Sequence, residues 1–149
     1  MDGNEAYAFV KNRMNYLSAE QAEIDIKIKK IKQDIDDYKG ARKKLETVRT
    51  LITQINKLNN KSDAFLQAGK GHGFIKKLVA LEKQHINGKK YTDVMNNTAR
   101  MNDEISQDIK TKERELEGLV AIRNRIINDL NSCYREEEAL EIALRENNG

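Results

Sequence analysis

The sequence predicts an all-α protein, a long antiparallel helical hairpin of coiled-coil type with short helices and a Gly-rich loop in its connection. Three observations lead there. The 149 residues contain no proline, so long helices meet no obligatory break. Charged residues reach 34% while aromatics are 5% and Trp is absent, a composition too polar to fill a wide globular core but suited to helices that bury narrow stripes. Two long stretches repeat apolar residues at alternating steps of three and four, the spacing of a left-handed coiled-coil seam.

Residues 1–17 form an N-terminal segment expected to be helical. The first long helix is predicted over 18–59. Its apolar series is Ile24, Ile28, Ile31, Ile35 and Tyr38, then Leu45, Val48, Ile52 and Ile55. Arg42 falls on the seam after Tyr38, and the short step from Leu45 to Val48 reads as a local phase slip. Ile24, Ile26 and Ile28 also alternate as a strand would, but the long heptad-phased run around them, free of turn signals, decides for helix.

Residues 60–91 read as an irregular connection within a single domain. Asn59-Asn60-Lys61-Ser62 looks like a helix end with a new N-cap at Ser62. Gly69-Lys70-Gly71-His72-Gly73 is a flexible loop. Phe74, Leu78, Leu81 and His85 share one helical face, which predicts a short helix over 74–86. Asn87-Gly88 then stops it, because both residues accept the left-handed conformation that closes a helix. The second long helix is predicted over 92–146, from the series Met101, Ile105, Ile109, Leu116, Leu119, Ile122, Ile126, Leu130, Cys133, Leu140 and Leu144. Gly118 inside it costs about 1 kcal/mol relative to Ala, too little to break so long a helix.

Charge is divided between the arms. Residues 18–58 carry 10 basic and 7 acidic groups, 59–99 carry 7 and 3, and 100–146 carry 8 and 12. Opposite net signs on the two long segments favour their antiparallel pairing, although for most individual charges a solvated face suffices. The overall balance of +3 describes a mixed surface rather than one built for a polyanion.

The patterns that could carry chemistry are weak. The 69–73 loop lacks the spacing and the preceding strand of a phosphate-binding loop. His72 and His85 stand far from Cys133, so no pair has zinc-ligand spacing, and Cys133 lies in the apolar stripe where a thiol behaves as a small hydrophobe. Glu136, Glu137 and Glu138 are consecutive and point in different directions. The basic run Lys27, Lys29, Lys30, Lys32, Arg42, Lys43 and Lys44 is interleaved with Asp25, Asp34, Asp36 and Asp37. No catalytic residue, cofactor or metal is expected. The lone cysteine gives no intrachain disulfide. The N-terminus carries Asp2 and Glu5 where a secretion leader needs basic residues before an apolar run, and no apolar stretch approaches the ~20 residues of a membrane span. The expected location is therefore the cytoplasm, with any export by a route that carries folded proteins without a cleaved leader.

One arrangement is more specific. A heptad helix, a break, Ile86-Asn87-Gly88-Lys89-Lys90-Tyr91-Thr92-Asp93-Val94 and a second heptad helix follow in order. This resembles the YwqH-like family of small helical proteins in the wider WXG superfamily, which accompany LXG toxins in bacterial type VII secretion. The resemblance covers mainly residues 18–58 and 86–145. It places Ile86 at the position of the family's turn tryptophan and Gly88 at that of its glycine. It also implies an export signal of the form Y-x-x-x-[D/E], matched by Tyr134 and Glu138 and a second time by Tyr16 and Glu20. What it implies about function is a non-catalytic, chaperone-like partner that packs beside the long helices of a toxin. The residues expected to build the seam and hold the partner are Ile24, Ile28, Ile31, Ile35, Leu45, Ile52, Ile105, Ile109, Leu116, Leu119, Ile126 and Leu130. Leu51, Val120 and Ile127 lie just off the seam and widen it toward a third or fourth helix. Two other readings accompany this one: a self-associating coiled-coil scaffold, and a nucleic-acid-binding hairpin.

Overall fold

The structure is a computed structural model that describes residues 2–68 and 89–148. It contains two long helices, α1 (Gly3–Ala68) and α2 (Lys89–Asn148), packed against each other as an all-α helical hairpin. The Gly-rich loop 69–73, the short helix 74–86 and the Ile86/Gly88 turn lie outside the described residues.

Helix α1 begins well before residue 18, and its start is explained by a capping box. Asp2 Oδ1 accepts from the Glu5 backbone N–H at 2.8 Å, while Glu5 Oε2 accepts from the Asp2 N–H at 3.3 Å. Two donors that an α-helix leaves orphaned at its first turn are thereby satisfied. The Ala6 N–H then bonds the Asp2 carbonyl at 3.0 Å. Nor does the helix end at Asn59. It runs through Ser62 to Ala68, because asparagine and serine lower helix propensity by only a few tenths of a kcal/mol and no Gly or Pro intervenes. Residues 60–68 and 89–91 are thus helical rather than irregular.

The chain divides into two compact units, Met1–Ile35 with Thr111–Gly149 and Asp36–Lys110. Each unit is a pair of antiparallel helix stretches. In the first, Lys11 pairs with Glu137 and Asp25 with Arg123. Fourteen residues forward on α1 therefore match fourteen back on α2, two heptads without slippage. Its core cluster is Val10, Met14, Leu17, Ile24 and Ile28 against Ile126, Leu130 and Cys133, with Leu116, Leu119, Ile122 and Leu140 packed on it. In the second unit Arg42 Nη1 donates to Ser106 Oγ at 3.5 Å, and the buried side chains are Ile109 and Thr98.

Along α1 the residues shielded from solvent recur at alternating steps of three and four from Tyr7 through Val10, Met14 and Leu17 to Leu45, Arg49, Ile52, Asn56 and Asn59. There is no phase slip. Val48 and Ile55, read as seam residues, are 45% and 56% exposed. The seam keeps its heptad phase by taking polar residues at Arg42, Arg49, Asn56 and Asn59, which an apolar count passes over. Met101 on α2 likewise lies outside its seam, at 49% exposure, with Asn102 turned inward in its place.

Candidate partner-binding surface

The residues expected to build the seam are spent on the hairpin itself. Ile24, Ile28, Ile35, Ile126 and Leu130 are buried in the first unit, and Ile109 in the second. Ile31, Leu116 and Leu119 of the first unit and Leu45, Ile52 and Ile105 of the second are half-buried. A further helix has to use other side chains.

The polar seam positions differ between the units. In the first they are paired across the helices: Glu137 with Lys11, Arg123 Nε with Asp25 Oδ1 at 2.6 Å, and Lys112 Nζ with Asp34 Oδ2 at 4.0 Å. The Glu137 carboxylate raises the pKa of Lys11 above its ordinary value, chiefly by the hydrogen bond it accepts. Desolvation raises that of Tyr7, whose hydroxyl donates to Glu141. In the second unit Arg49 Nε and Asn56 Oδ1 are buried with no hydrogen-bond partner among the described residues. Each such group forfeits solvation without recovering a bond, at about 1–3 kcal/mol.

The same stretch leaves its apolar residues outside. Val48, Leu51, Ile55 and Leu58 follow one another at steps of three, four and three, and all are exposed, Leu58 at 64%. Each precedes a seam residue (Arg49, Ile52, Asn56 and Asn59) by one position, so they form one stripe turned about 100° from the seam. On α2, Val94 and Met101 precede the seam residues Met95 and Asn102 by the same offset and are also exposed. Two antiparallel helices are related by a two-fold axis normal to the plane containing them, which keeps equal offsets on one face. Val94 and Met101 therefore share the face of the α1 stripe. A groove of about 310 Å³ agrees with this for Ile55 and Val94, which line it together with Ile52, Asn56, Asn59, Lys90 and Tyr91.

The opposite face of this unit is polar. Its groove is walled by Glu46, Arg49, Thr50, Thr53, Gln54, Lys57 and Met95. Thr50 and Thr53 there turn their hydroxyls back onto the carbonyls of Glu46 and Arg49 at 2.9–3.0 Å. In the first unit, a groove combines the charged Lys27, Lys30, Asp34, Lys112 and Glu115 with the apolar Ile31, Leu119 and Ile122, and Lys112 is engaged with both Asp34 and Glu115.

Tyr134 and Glu138 are both exposed, one helical turn apart on α2. Val120, Ile127 and Tyr134 stand seven residues apart and so share a face. Tyr16 is exposed and Glu20 half-buried. Cys133 is 3% exposed inside the core cluster. His72 and His85 lie outside the described residues. Among the described residues no three His, Cys, Asp or Glu side chains are grouped to hold a metal, and no helix is long and apolar enough to cross a membrane. The chain matches no known family model, no curated protein and no solved structure.

Proposed function

We propose that this protein is a non-catalytic binding partner of another helical protein, and that the stripe Val48–Leu51–Ile55–Leu58, with Val94 and Met101, is where that protein docks. The observation carrying the reading is that in this stretch the seam between the chain's own helices holds Arg49, Asn56 and Asn59 beside Ile52, while Val48, Leu51, Ile55 and Leu58 face solvent at heptad spacing. Side chains three and four apart line a single helical edge, the form in which amphipathic helices recognise one another. An exposed apolar stretch of this kind marks an interaction site more often than chance exposure does.

Within that class, the resemblance to the YwqH-like family points to an LXG-type toxin as the partner and to type VII secretion as the setting. Tyr134 with Glu138 then serves as an export signal. Their exposure on one face supports this, since a secretion component could read both side chains at once.

The test is co-purification from the source cells with native protein and with Leu51→Gln/Ile55→Gln, followed by identification of the bound protein. The expected result is recovery of a protein with long amphipathic helices, lost with the variant while the helical circular dichroism stays unchanged. Recovery that the variant does not diminish refutes the docking site. Secretion that continues normally in Tyr134→Ala refutes the export role.

A further inference from the structure

Each helix of the second unit carries two seams side by side. In the present one, α1 turns Leu45, Ile52 and Asn59 toward α2, alternating with Arg42, Arg49 and Asn56; α2 answers with Tyr91, Thr98 and Ile105, alternating with Met95 and Asn102. Ala41, Val48 and Ile55 stand one position before the polar set, which places them next to Leu45 and Ile52 around the helix, on the other side. Val94 and Met101 hold the same place on α2. The seven heptad positions divide the circle into steps of about 50°. Turning each helix about its own axis by one step keeps Leu45, Ile52, Thr98 and Ile105 inward. It exchanges Arg49 and Asn56 for Val48 and Ile55, and Met95 and Asn102 for Val94 and Met101. Since the incoming residues share one face, the two helices turn in opposite senses, as meshed gears do.

Both sides of the exchange favour it. Arg49 Nε and Asn56 Oδ1 are buried without a partner among the described residues, and the turn carries them toward the polar face of Thr50, Thr53 and Lys57. Val48, Ile55, Val94 and Met101, now 42–56% exposed, leave water. Thr98 stays inward in either arrangement, because its hydroxyl donates to the Met95 carbonyl of its own helix at 2.9 Å. The first unit has no such choice: the positions equivalent to Val48 and Ile55 are Arg13, Glu20, Lys27 and Asp34 there. Resting on the partner-binding reading, we infer that this exchange of seams gates the docking face. The present seam opens the Val48–Leu58 stripe to a partner. The second takes Val48 and Ile55 into the hairpin's own core and leaves Leu51 and Leu58 at its edge. A partner that binds only the open arrangement draws the equilibrium toward it.

Two native methionines report the exchange in the full chain, since Met95 is half-buried in the present seam and Met101 is exposed outside it. Dilute hydrogen peroxide converts accessible methionine to its sulfoxide. Peptide mass spectrometry gives the initial rate at each, with the buried Met14 of the first unit as internal reference. Arg49→Leu/Asn56→Ile fills the present seam and holds the face open. Ala41→Leu/Asp108→Leu lengthens the second seam by one heptad, while both substituted positions are exposed in the present one and carry no part of its packing. From the first variant to the second, the ratio of the Met101 rate to the Met95 rate is expected to fall by about fivefold or more, the factor that corresponds to relieving one buried unpaired polar group. Met101 should slow and Met95 quicken, and capture of the native partner should fall in step.

A ratio equal in the two variants, or two rates that rise together as local unfolding would make them, overturns the inference and leaves the partner-binding reading standing. Slowing of Met101 with no quickening of Met95 would mean that the added leucines are covered from outside, and also overturns it. Opposite shifts of the two rates with equal capture by both variants show an exchange that does not gate docking, which overturns the inference as well. Capture undiminished by Leu51→Gln/Ile55→Gln overturns the docking site itself, and the gating role with it, whatever the methionine rates.

Discussion

Replacing Asn56 by isoleucine should make the protein more stable, and the size of the gain follows from where Asn56 sits. Its Oδ1 is buried without a hydrogen bond among the described residues, and its neighbours along the seam are Ile52 and Asn59. Removing an unsatisfied acceptor recovers about 1–3 kcal/mol. Isoleucine adds apolar burial of about 25 cal/mol per Å², which for a half-buried side chain contributes about 1 kcal/mol. The extra volume can extend into the adjoining groove of about 310 Å³, so overpacking does not cancel the gain. Together these give a net stabilisation of about 2–4 kcal/mol, equivalent to a rise of roughly 4–16 °C in Tm for a chain of this size. Thermal melts followed by circular dichroism measure it, and urea titration should move the midpoint with an unchanged slope. Sedimentation belongs beside them, because a polar seam residue specifies register and association state at a cost in stability. A Tm that stays the same or falls would refute the reasoning: Asn56 would then be bonded in the seam, and the inversion of polar and apolar stripes would lose one of its supports.

Three other outcomes are expected. Gly40→Ala and Gly118→Ala should each stabilise by up to about 1 kcal/mol in urea titration, since both lie inside helices and an added Cβ meets no atom within 4 Å at either position. Ile126→Asp should unfold the first unit, because it puts an unpaired charge in the buried core cluster; Ile31→Asp, half-buried at the same seam, should lower Tm by less. Stability should fall as pH rises above about 10. The folded state holds the protons of Lys11 and Tyr7 more tightly than the unfolded chain does, so what they contribute is fully present below their ordinary pKa values and is lost as pH passes through the raised ones. Melts across that window should show a shallower fall in Tyr7→Phe/Lys11→Met than in the native protein.

How much of this was legible in the chain depends on residue type. The seam from Ile24 to Ile35 and its counterpart through Ile126 and Leu130 could be read because consecutive heptad positions are apolar. The extension of α1 toward Gly3 was signalled twice, by Val10, Met14 and Leu17 continuing the same phase and by Asp2 and Glu5 at capping-box spacing. Beyond Leu45 the signal misleads. The apolar count draws the seam through Leu45, Val48, Ile52 and Ile55, whereas the helices pack through Leu45, Arg49, Ile52, Asn56 and Asn59 and leave Val48 and Ile55 exposed.

The helical class was legible in the sequence because proline-free heptad patterns are local properties that each helix carries by itself, and the break between the two patterned segments predicted the hairpin. Tertiary structure decided which of two adjacent stripes faces inward. In the second unit the inward stripe takes Arg49 and Asn56 beside Ile52 and leaves Val48, Leu51, Ile55 and Leu58 on the surface, because which side of a helix is buried is set by the helix it packs against and not by its own apolar count.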